Sequence, residues 1–308
     1  MRLDDADWLI LRELFRWDAG NFARGPLKAP VRELAARTGL HRNSIHARLA
    51  ALREGGVLQG SAFHPRHAFL GHGRMGFGFD GVTPAAPEDL ERALEPFPGV
   101  ELAILAHGLV FMHVWHQGEA RALAERIGRA LGAARVWESY VAPPPPGPRK
   151  PLAPMDARIL RALRHGPARS VASIAKEARV STRTLERRMQ RLQAEGAGGM
   201  VPRVSLARIE GALLVEYIAA EGDERASAGL ERAFPDRVLG PFGPGVPPQV
   251  AAPMPNLDQA ERRRAAAQKE PGVGRVEMVL MRDFLHPKAF DAFLERAVAD
   301  AQRPVAAD

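Results

Sequence analysis

The feature that most constrains this 308-residue sequence is an internal repeat. Residues 3–14 match residues 152–163, and residues 31–56 match residues 171–196, with the same spacing of apolar and charged positions. The offset changes between the two matches because the first copy carries about nine extra residues within Phe15–Pro30. This repeat unit is far longer than that of a solenoid, so the chain is predicted to hold two copies of a domain pair.

The chain is basic and lacks cysteine. Lys and Arg number 43 against 36 Asp and Glu, and the isoelectric point is about 10.4. This balance favours a polyanionic partner, although an Arg-rich codon bias would give the same charge. The absence of cysteine excludes disulfides, thiolate metal sites and Cys nucleophiles. No apolar run reaches the length of a membrane span and the N-terminus lacks a signal-peptide core, so we expect a cytoplasmic protein with no membrane partner.

A proline-rich stretch separates the two copies, since a proline run is extended and semi-rigid. Each copy divides again into a helical part and a part in which strands alternate with helices. The predicted fold class is α+β, with two copies of a (winged) helix-turn-helix domain followed by a ferredoxin-like βαββαβ domain. The predicted units are helix-turn-helix domain 1 at 1–62, ferredoxin-like domain 1 at 63–142, the linker at 143–151, helix-turn-helix domain 2 at 152–206, and ferredoxin-like domain 2 with an extra C-terminal helix at 207–308.

The helical part of each copy has three amphipathic segments, of which the last two are joined by a short turn. Gly39 stands in that turn in the first copy, where the backbone needs a positive φ. Ser181 precedes the third helix of the second copy and is a good N-cap. The third helices are predicted at His41–Glu54 and Thr182–Ala194. Two helices joined by so short a turn indicate a helix-turn-helix.

The second part of each copy follows the order βαββαβ, which is the ferredoxin-like arrangement. In the first copy the strands are predicted at Arg74–Val82, Val100–Ala106, Val110–His116 and Arg135–Val141. The second copy is less regular, because Leu239–Asn256 contains six prolines and proline is poor in a central strand. We expect its hairpin to be short, distorted or at a sheet edge.

The third helices carry the residues that would contact DNA. The second helix of a helix-turn-helix enters the major groove, where Arg pairs with guanine, Asn pairs with adenine, and Ser and Thr suit phosphates or bases. A solvated face in a protein-interaction domain would show a similar pattern, but two copies with one polarity favour double-stranded DNA. The predicted DNA-binding residues are Arg42, Asn43, Ser44, His46, Arg48, Thr182, Arg183, Thr184, Arg187, Arg188 and Arg191.

Two segments carry a family resemblance. The run ELAARTGLHRNSIHARLAALREGGVLQGSAFHPRHAFLG resembles the DNA-binding half of the leucine-responsive/asparagine-regulator (Lrp/AsnC) transcription regulators, and IAKEARVSTRTLERRMQRLQAEG is similar to the same segment. The resemblance implies a transcription regulator, an unknown small effector bound by the ferredoxin-like domains, and a homodimer or higher assembly formed through those domains. Family members usually carry one copy and dimerise, so we expect this chain to act as a covalent pseudo-dimer. The basic insertion at Phe15–Pro30 is either a DNA-backbone contact or a longer loop.

Two alternatives remain open. Siroheme decarboxylases resemble the same two-domain layout, but their aromatic-Asn-Leu-Trp-like strand after a His is not matched by His107–His113. A weakly specific architectural protein that coats DNA would bind mainly through phosphates. We expect a regulator that is not an enzyme.

Other candidate sites are weaker. Gly71–Gly76 spells G-x-G-x-x-G, but it precedes a strand, whereas a dinucleotide site needs the pattern after one. His113 and His116 fall on opposite faces of their strand, which is poor geometry for one metal. The turn His107-Gly108 lies where the family's effector sites tend to be, although a turn favours Gly in any case. We therefore expect no catalytic residues, no cofactor and no metal.

Overall fold

The computed structural model describes residues 1–18, 31–84, 86–145, 151–164, 171–240 and 247–302. Most of the insertion, residues 19–30, and the centre of the linker, residues 146–150, lie outside the described residues. The two alternatives for the insertion therefore stay open. No described helix is both long enough and apolar enough to cross a membrane.

Two three-helix units occur, as predicted. In each unit the third helix buries three apolar residues against the other two helices: Ile45, Leu49 and Leu52 in the first unit, and Leu185, Met189 and Leu192 in the second. Both units therefore present the same face of the third helix outward. The helices are α1 (Asp5–Asp18), α2 (Val31–Thr38) and α3 (Arg42–Glu54) in the first unit, and α6 (Pro154–Arg164), α7 (Val171–Ala178) and α8 (Thr182–Ala194) in the second.

Each third helix is capped by the side chain of the residue that precedes it. His41 precedes α3, and its imidazole Nδ1 accepts a hydrogen bond from the backbone N–H of Asn43. Ser181 precedes α8, and its Oγ accepts from the backbone N–H of Thr184 at 3.1 Å, which confirms the predicted N-cap. Each cap satisfies a backbone donor that the helix itself leaves open.

The turn before α8 contains a strained residue. Gly39, before α3, has a φ of +71°, whereas Arg179, in the same turn before α8, has a φ of +54°. An L-residue in this left-handed region costs on the order of 1–2 kcal/mol, which glycine avoids.

We expect Arg179→Gly to raise the free energy of unfolding by about 0.5 kcal/mol, because the relieved strain exceeds the extra chain entropy of glycine in the unfolded state. Urea unfolding followed by circular dichroism measures the change. Gly39→Ala is the matched control and should destabilise the protein by about 1 kcal/mol. A destabilised Arg179→Gly variant would contradict this account of the turn.

The two helical units are joined by a strand pair. Strand β1 (Leu58–Pro65) follows α3, strand β6 (Gly198–Val204) follows α8, and the two run antiparallel, from Leu58 opposite Val204 to Pro65 opposite Gly198. We call this pair the β1–β6 ribbon. Its backbone hydrogen bonds fix the orientation of one helical unit against the other.

The remaining strands form one seven-stranded antiparallel sheet in the order β5-β2-β4-β3-β9-β7-β8. Four of these strands, β5-β2-β4-β3, reproduce the ferredoxin-like order, and β3 joins β9 through pairs such as Ala103 opposite Leu285. The predicted α+β fold is confirmed. The strands are β2 (Gly73–Asp80), β3 (Val100–Ala106), β4 (Leu109–His116), β5 (Arg135–Ala142), β7 (Leu213–Ala219), β8 (Gln249–Met254) and β9 (Val276–Leu285).

Helices cover one face of each half of the sheet, and a last helix returns to the second helical unit. The covering helices are α4 (Pro87–Leu94) and α5 (Ala120–Leu131) in the first half, and α9 (Ala226–Ala233) and α10 (Leu257–Ala267) in the second. The predicted C-terminal helix is α11 (Ala289–Asp300). It shares an apolar core with α6, α7 and α8, and Arg161 of α6 binds Glu295 of α11 at 2.8 Å.

The proline-rich hairpin of the second copy lies at the sheet edge, which is one of the three alternatives that the sequence left open. Strand β8 pairs with β7, and beyond it Leu239 makes an isolated bridge to Ala251. Residues 241–246 lie outside the described residues.

Candidate functional site

The outward faces of α3 and α8 form the first candidate site. The burial pattern is the same in both helices from His41 to Ala50 and from Ser181 to Gln190. The predicted DNA-binding residues divide into two groups. Those on the open face are Arg42, Asn43, His46, Thr182, Arg183, Arg187 and Arg191, and those that are half-buried are Ser44, Arg48, Thr184 and Arg188.

Arg48 of α3 binds the first helix. Its Nη1 lies 2.7 Å from Asp4 Oδ1 and 2.8 Å from Asp7 Oδ1. Hydrogen bonds to Asp7 and then Asp4 raise the pKa of Arg48. Asp4 also accepts a hydrogen bond from the backbone N–H of Asp7, so it caps α1. This ion pair therefore holds α3 against the start of α1.

The second unit repeats this arrangement with two arginines. Asp156 of α6 is 1% exposed and binds both Arg188 and Arg191, the former at 3.5 Å. The sequence analysis missed these partners of Asp7 and Asp156. The repeat of both acids, together with Arg48 and Arg188 at matching positions, was the available signal. A DNA contact by Arg48, Arg188 or Arg191 stays a prediction.

We expect Asp156→Asn to lower the free energy of unfolding by about 1.5–3 kcal/mol, the range for hydrogen bonds to charged groups. The substitution keeps the shape of the side chain but removes the charge that two arginines contact. Urea unfolding measures the change. Asp258→Asn is the control, because Asp258 pairs with Arg262 on the exposed face of α10 and exposed pairs contribute little. Equal stability of the two variants would contradict this account.

A buried polar cluster lies between the β1–β6 ribbon and the sheet, and it is the second candidate site. Glu101 of β3 sits at its centre, where Arg74 Nε donates to Glu101 Oε2 at 3.0 Å and His64 Nδ1 donates to Glu101 Oε1 at 3.2 Å. Glu101 lies at a bulge of β3 between Val100 and Leu102. A bulge re-aims a side chain, and here it brings an acid among basic groups.

Four further groups complete the buried polar cluster. His113 Nδ1 and the hydroxyl of Tyr140 share a hydrogen bond of 2.7 Å. The His286 ring lies 5.5 Å from the His64 ring, between centroids. Arg203 of β6 has a buried Nε without a hydrogen-bond partner in the described part of the chain. The cluster therefore contains two arginines, Arg74 and Arg203, and one carboxylate, that of Glu101. This excess of positive charge suits an anionic group.

Burial and charge shift the pKa values in this cluster. Burial lowers the pKa of His113 well below its usual value, and the charge of Arg74 lowers it further. Burial, with His64 nearby, lowers the pKa of His286 to about 3. Burial raises the pKa of Tyr140 to about 12. Burial is the largest effect on Glu101 and raises its pKa, but the charge of Arg74 and the hydrogen bond from His64, with smaller charge effects, together lower the pKa below its usual value. The cluster therefore holds an ionised Glu101 near an unprotonated His113 and His286.

The second half of the sheet lacks this cluster at the corresponding positions. Gly76 of β2 lies opposite both His113 and Tyr140. In the second half, Glu216 of β7 lies opposite Ala251 and Val279. Burial raises the pKa of Glu216 to about 7. The two halves share a fold but not the chemistry of this face.

Stability should fall as the pH drops below about 6.5, the usual pKa of histidine. The native state keeps His113 and His286 unprotonated, whereas the unfolded chain takes up protons there. Glu216 has the opposite effect on stability. Its raised pKa makes the native state bind a proton between about pH 4.5 and about pH 7, where the unfolded chain does not. The net loss should be on the order of 1 kcal/mol per pH unit.

Urea midpoints between pH 4.5 and 7 would measure this slope. We expect Glu216→Gln to make the slope steeper and His286→Gln to make it shallower. A stability that rises toward acid in the wild type would contradict the assigned signs.

No group of three His, Asp or Glu side chains among the described residues is arranged to hold a metal ion. His113 bonds to Tyr140, while the Nδ1 of His116 donates to the carbonyl of Gly118 at 2.9 Å. The segment Gly71–Gly76 forms the end of a short 3-10 turn and the start of β2.

Comparison with known proteins gives one family match. The model of the IclR helix-turn-helix domain matches residues 21–61, which include α2, α3 and the first half of β1. The chain therefore contains a helix-turn-helix DNA-binding domain. No curated protein matches this chain.

Solved structures give matches that are longer. The crystal structure of the siroheme decarboxylase NirDL matches over 97% of this chain and 100% of its own, with a TM-score of 0.50 and 13% identity. The leucine response regulatory protein LrpA of Mycobacterium tuberculosis matches over 45% of this chain and 91% of its own, with a TM-score of 0.29 and 27% identity. The first match shows a shared fold over nearly the whole chain.

This shared fold corrects one expectation. We expected that the chain is not an enzyme, because the strand motif of the siroheme decarboxylases is not matched and the third helices are rich in arginine. The fold that the chain shares over nearly its whole length is that of an enzyme. The expectation is therefore wrong.

Proposed function

We propose that this chain is a sequence-specific transcription regulator of Lrp/AsnC-like design, whose two helix-turn-helix units act as a covalent pseudo-dimer on double-stranded DNA. The observation that supports it best is the identical exposure pattern of α3 and α8 on two units linked by the β1–β6 ribbon. A dimeric helix-turn-helix protein places two recognition helices on two half-sites in the same way. In this proposal one chain supplies both.

The proposal includes an internal duplication. The units are the two helix-turn-helix domains at 1–62 and 152–206, and the two ferredoxin-like domains at 63–142 and 207–308, with the linker between them. Strand β1 runs to Pro65 and thus reaches past the first of these boundaries. A homodimer through the ferredoxin-like domains would present four recognition helices, and a small effector would act through the same domains.

The two recognition helices carry different residues, so the half-sites should differ. Helix α3 exposes Arg42, Asn43 and His46, whereas α8 begins with Thr182 and Arg183. Arg and Asn read guanine and adenine respectively, so the two helices favour different base steps. The target should therefore be an unequal pair of half-sites about one helical turn, or a multiple of it, apart.

Selection of bound sites from random duplex DNA tests the proposal. Two unequal half-sites at a fixed spacing would support it, and a symmetrical palindrome would argue against the pseudo-dimer. Binding should weaken as salt rises, because phosphate contacts release counterions. Equal affinity for selected and random duplexes would favour the architectural alternative, and no salt-sensitive binding would rule out both.

A second candidate function is catalysis on a carboxylated tetrapyrrole, like that of the enzyme whose fold this chain shares. The observation that favours it is the buried polar cluster, which sets Arg74 and Arg203 beside His113 and Tyr140. The arginines would bind a carboxylate. On decarboxylation CO₂ leaves, and the carbon takes a proton that a neighbouring His or Tyr would supply.

Incubation of the purified protein with siroheme, followed by mass spectrometry, tests this candidate. Loss of carboxyl groups in the wild type, reduced in His113→Phe and retained in His107→Phe, would support it. His107 is the control because it lies exposed at the β3–β4 turn. An unchanged mass spectrum together with no tetrapyrrole absorption band on the protein would rule it out.

A further inference from the structure

A cleft separates the first half of the sheet from the C-terminal helix. Its volume is about 490 Å³, within the range of small-molecule sites. The end of β4 forms its floor, the loop Pro96–Gly99 and the start of α5 form two sides, and Phe293 of α11 forms another. It is remote from α3 and α8, but it adjoins the buried polar cluster along β4, where Trp115 is two residues from His113.

Aromatic and aliphatic side chains form much of the wall, namely Phe97, Leu123, Phe293 and Trp115. The Trp115 ring meets Phe293 edge to face, with 6.1 Å between centroids. An occupant therefore needs an apolar body, flat enough to lie against these rings.

Two side chains of the wall carry buried polar atoms without partners. Trp115 is 2% exposed and His116 is 7% exposed. Neither Trp115 Nε1 nor His116 Nε2 has a hydrogen-bond partner in the described residues. A buried donor without a partner is destabilising, so an occupant that supplies an acceptor to Trp115 Nε1–H is stabilised.

The same wall contains the start of a helix and two charged side chains of opposite sign, Glu119 and Arg126. Helix α5 has twelve residues, and its N-cap, Glu119, makes no side-chain capping bond. Its first turn lines the cleft through Ala122 and Leu123, and Arg126 lines it one turn further on. Backbone N–H groups and the dipole favour an anion at a helix start. Arg126 adds a positive charge that offsets the exposed carboxylate of Glu119.

We propose that this cleft is a binding site for a small organic acid with an aromatic or otherwise apolar body. The carboxylate accepts from Trp115 Nε1–H and from the start of α5, and Arg126 balances its charge. The apolar body fills the space between Phe97, Leu123 and Phe293. Because Phe293 belongs to α11, the occupant touches both the sheet and the helix that packs on the second helical unit.

Isothermal titration calorimetry on the full chain with phenylacetate tests the site. A Kd of about 1 mM or tighter is expected for a ligand of this size. Acetate lacks the apolar body and phenylacetamide lacks the charge, so each should bind at least about tenfold more weakly. Equal binding of all three compounds, or no binding of phenylacetate at about 10 mM, would overturn the proposal.

Variants locate the site. Trp115→Phe keeps an aromatic ring but removes the donor, and we expect about fivefold weaker phenylacetate binding, from the loss of one hydrogen bond. Arg126→Gln should weaken binding by a similar factor, whereas Arg121→Gln, exposed on the same helix and paired with Glu125, should leave it unchanged. Unaltered affinity in both Trp115→Phe and Arg126→Gln would also overturn the proposal. These outcomes do not depend on duplex binding.

Discussion

Replacing Arg42 and Arg183 together with glutamate should weaken binding to the selected duplex by at least about 100-fold. Each arginine is exposed at the start of its helix, α3 or α8. A bidentate contact to a base contributes about 1–3 kcal/mol, and glutamate adds repulsion from the phosphates. Fluorescence anisotropy with labelled duplex at fixed salt measures the change.

The control for this prediction distinguishes an effect of these two positions from an effect of the protein's net charge. Arg92→Glu with Arg121→Glu makes the same change in net charge on the exposed faces of α4 and α5, and it should weaken binding much less. Far-ultraviolet circular dichroism checks that each protein is folded. If both double variants bind alike, the recognition helices are not the interface and the proposed function fails.

The largest effect on stability should come from Glu101→Gln. Glu101 is buried and is contacted by Arg74 and His64. Removing one partner of a buried ion pair costs about 3–5 kcal/mol, because the other charge stays desolvated. Arg74 keeps some solvent exposure, so we expect about 3 kcal/mol, measured by urea unfolding at pH 7.

Two further variants test whether an unpaired buried charge causes this loss of stability. Glu125→Gln removes an exposed partner of Arg121 on α5 and should change stability by less than about 1 kcal/mol. Glu101→Leu combined with Arg74→Met removes both charges of the pair, and it should be more stable than Glu101→Gln. If the double variant is the least stable of the three, loss of packing rather than an unpaired charge explains the effect.

Much of the fold could be predicted from the sequence, because its signals are local. Helical spacing located both three-helix units, and the prolines between Leu239 and Asn256 predicted a second hairpin that is short, distorted or at an edge, of which the structure has the last. The β1–β6 ribbon could not be predicted, since pairing between strands so distant in sequence depends on the packing of the whole chain. The same limit applied to the join between β3 and β9.

One of the two candidate sites could be predicted from the sequence, and the other could not. The exposed positions of α3 and α8 follow from helical periodicity, as the sequence indicated. The buried polar cluster does not, because a bulge at Glu101 and a register shift of β5 between Glu138 and Tyr140 place side chains on faces that simple alternation does not give. The error about catalysis arose from relying on one absent strand motif and on arginine-rich third helices, because neither excludes chemistry at other residues of a fold that supports many functions.

The β1–β6 ribbon has a consequence for how a target site could evolve. Two DNA-binding units joined by a flexible linker tolerate many distances between half-sites, and they lose conformational freedom when the second unit binds. Two units joined by a hydrogen-bonded ribbon have already lost that freedom during folding. Inserting about five base pairs, half a helical turn, would turn one half-site to the opposite side of the duplex. For such a protein, spacing would be as strict a requirement as base identity.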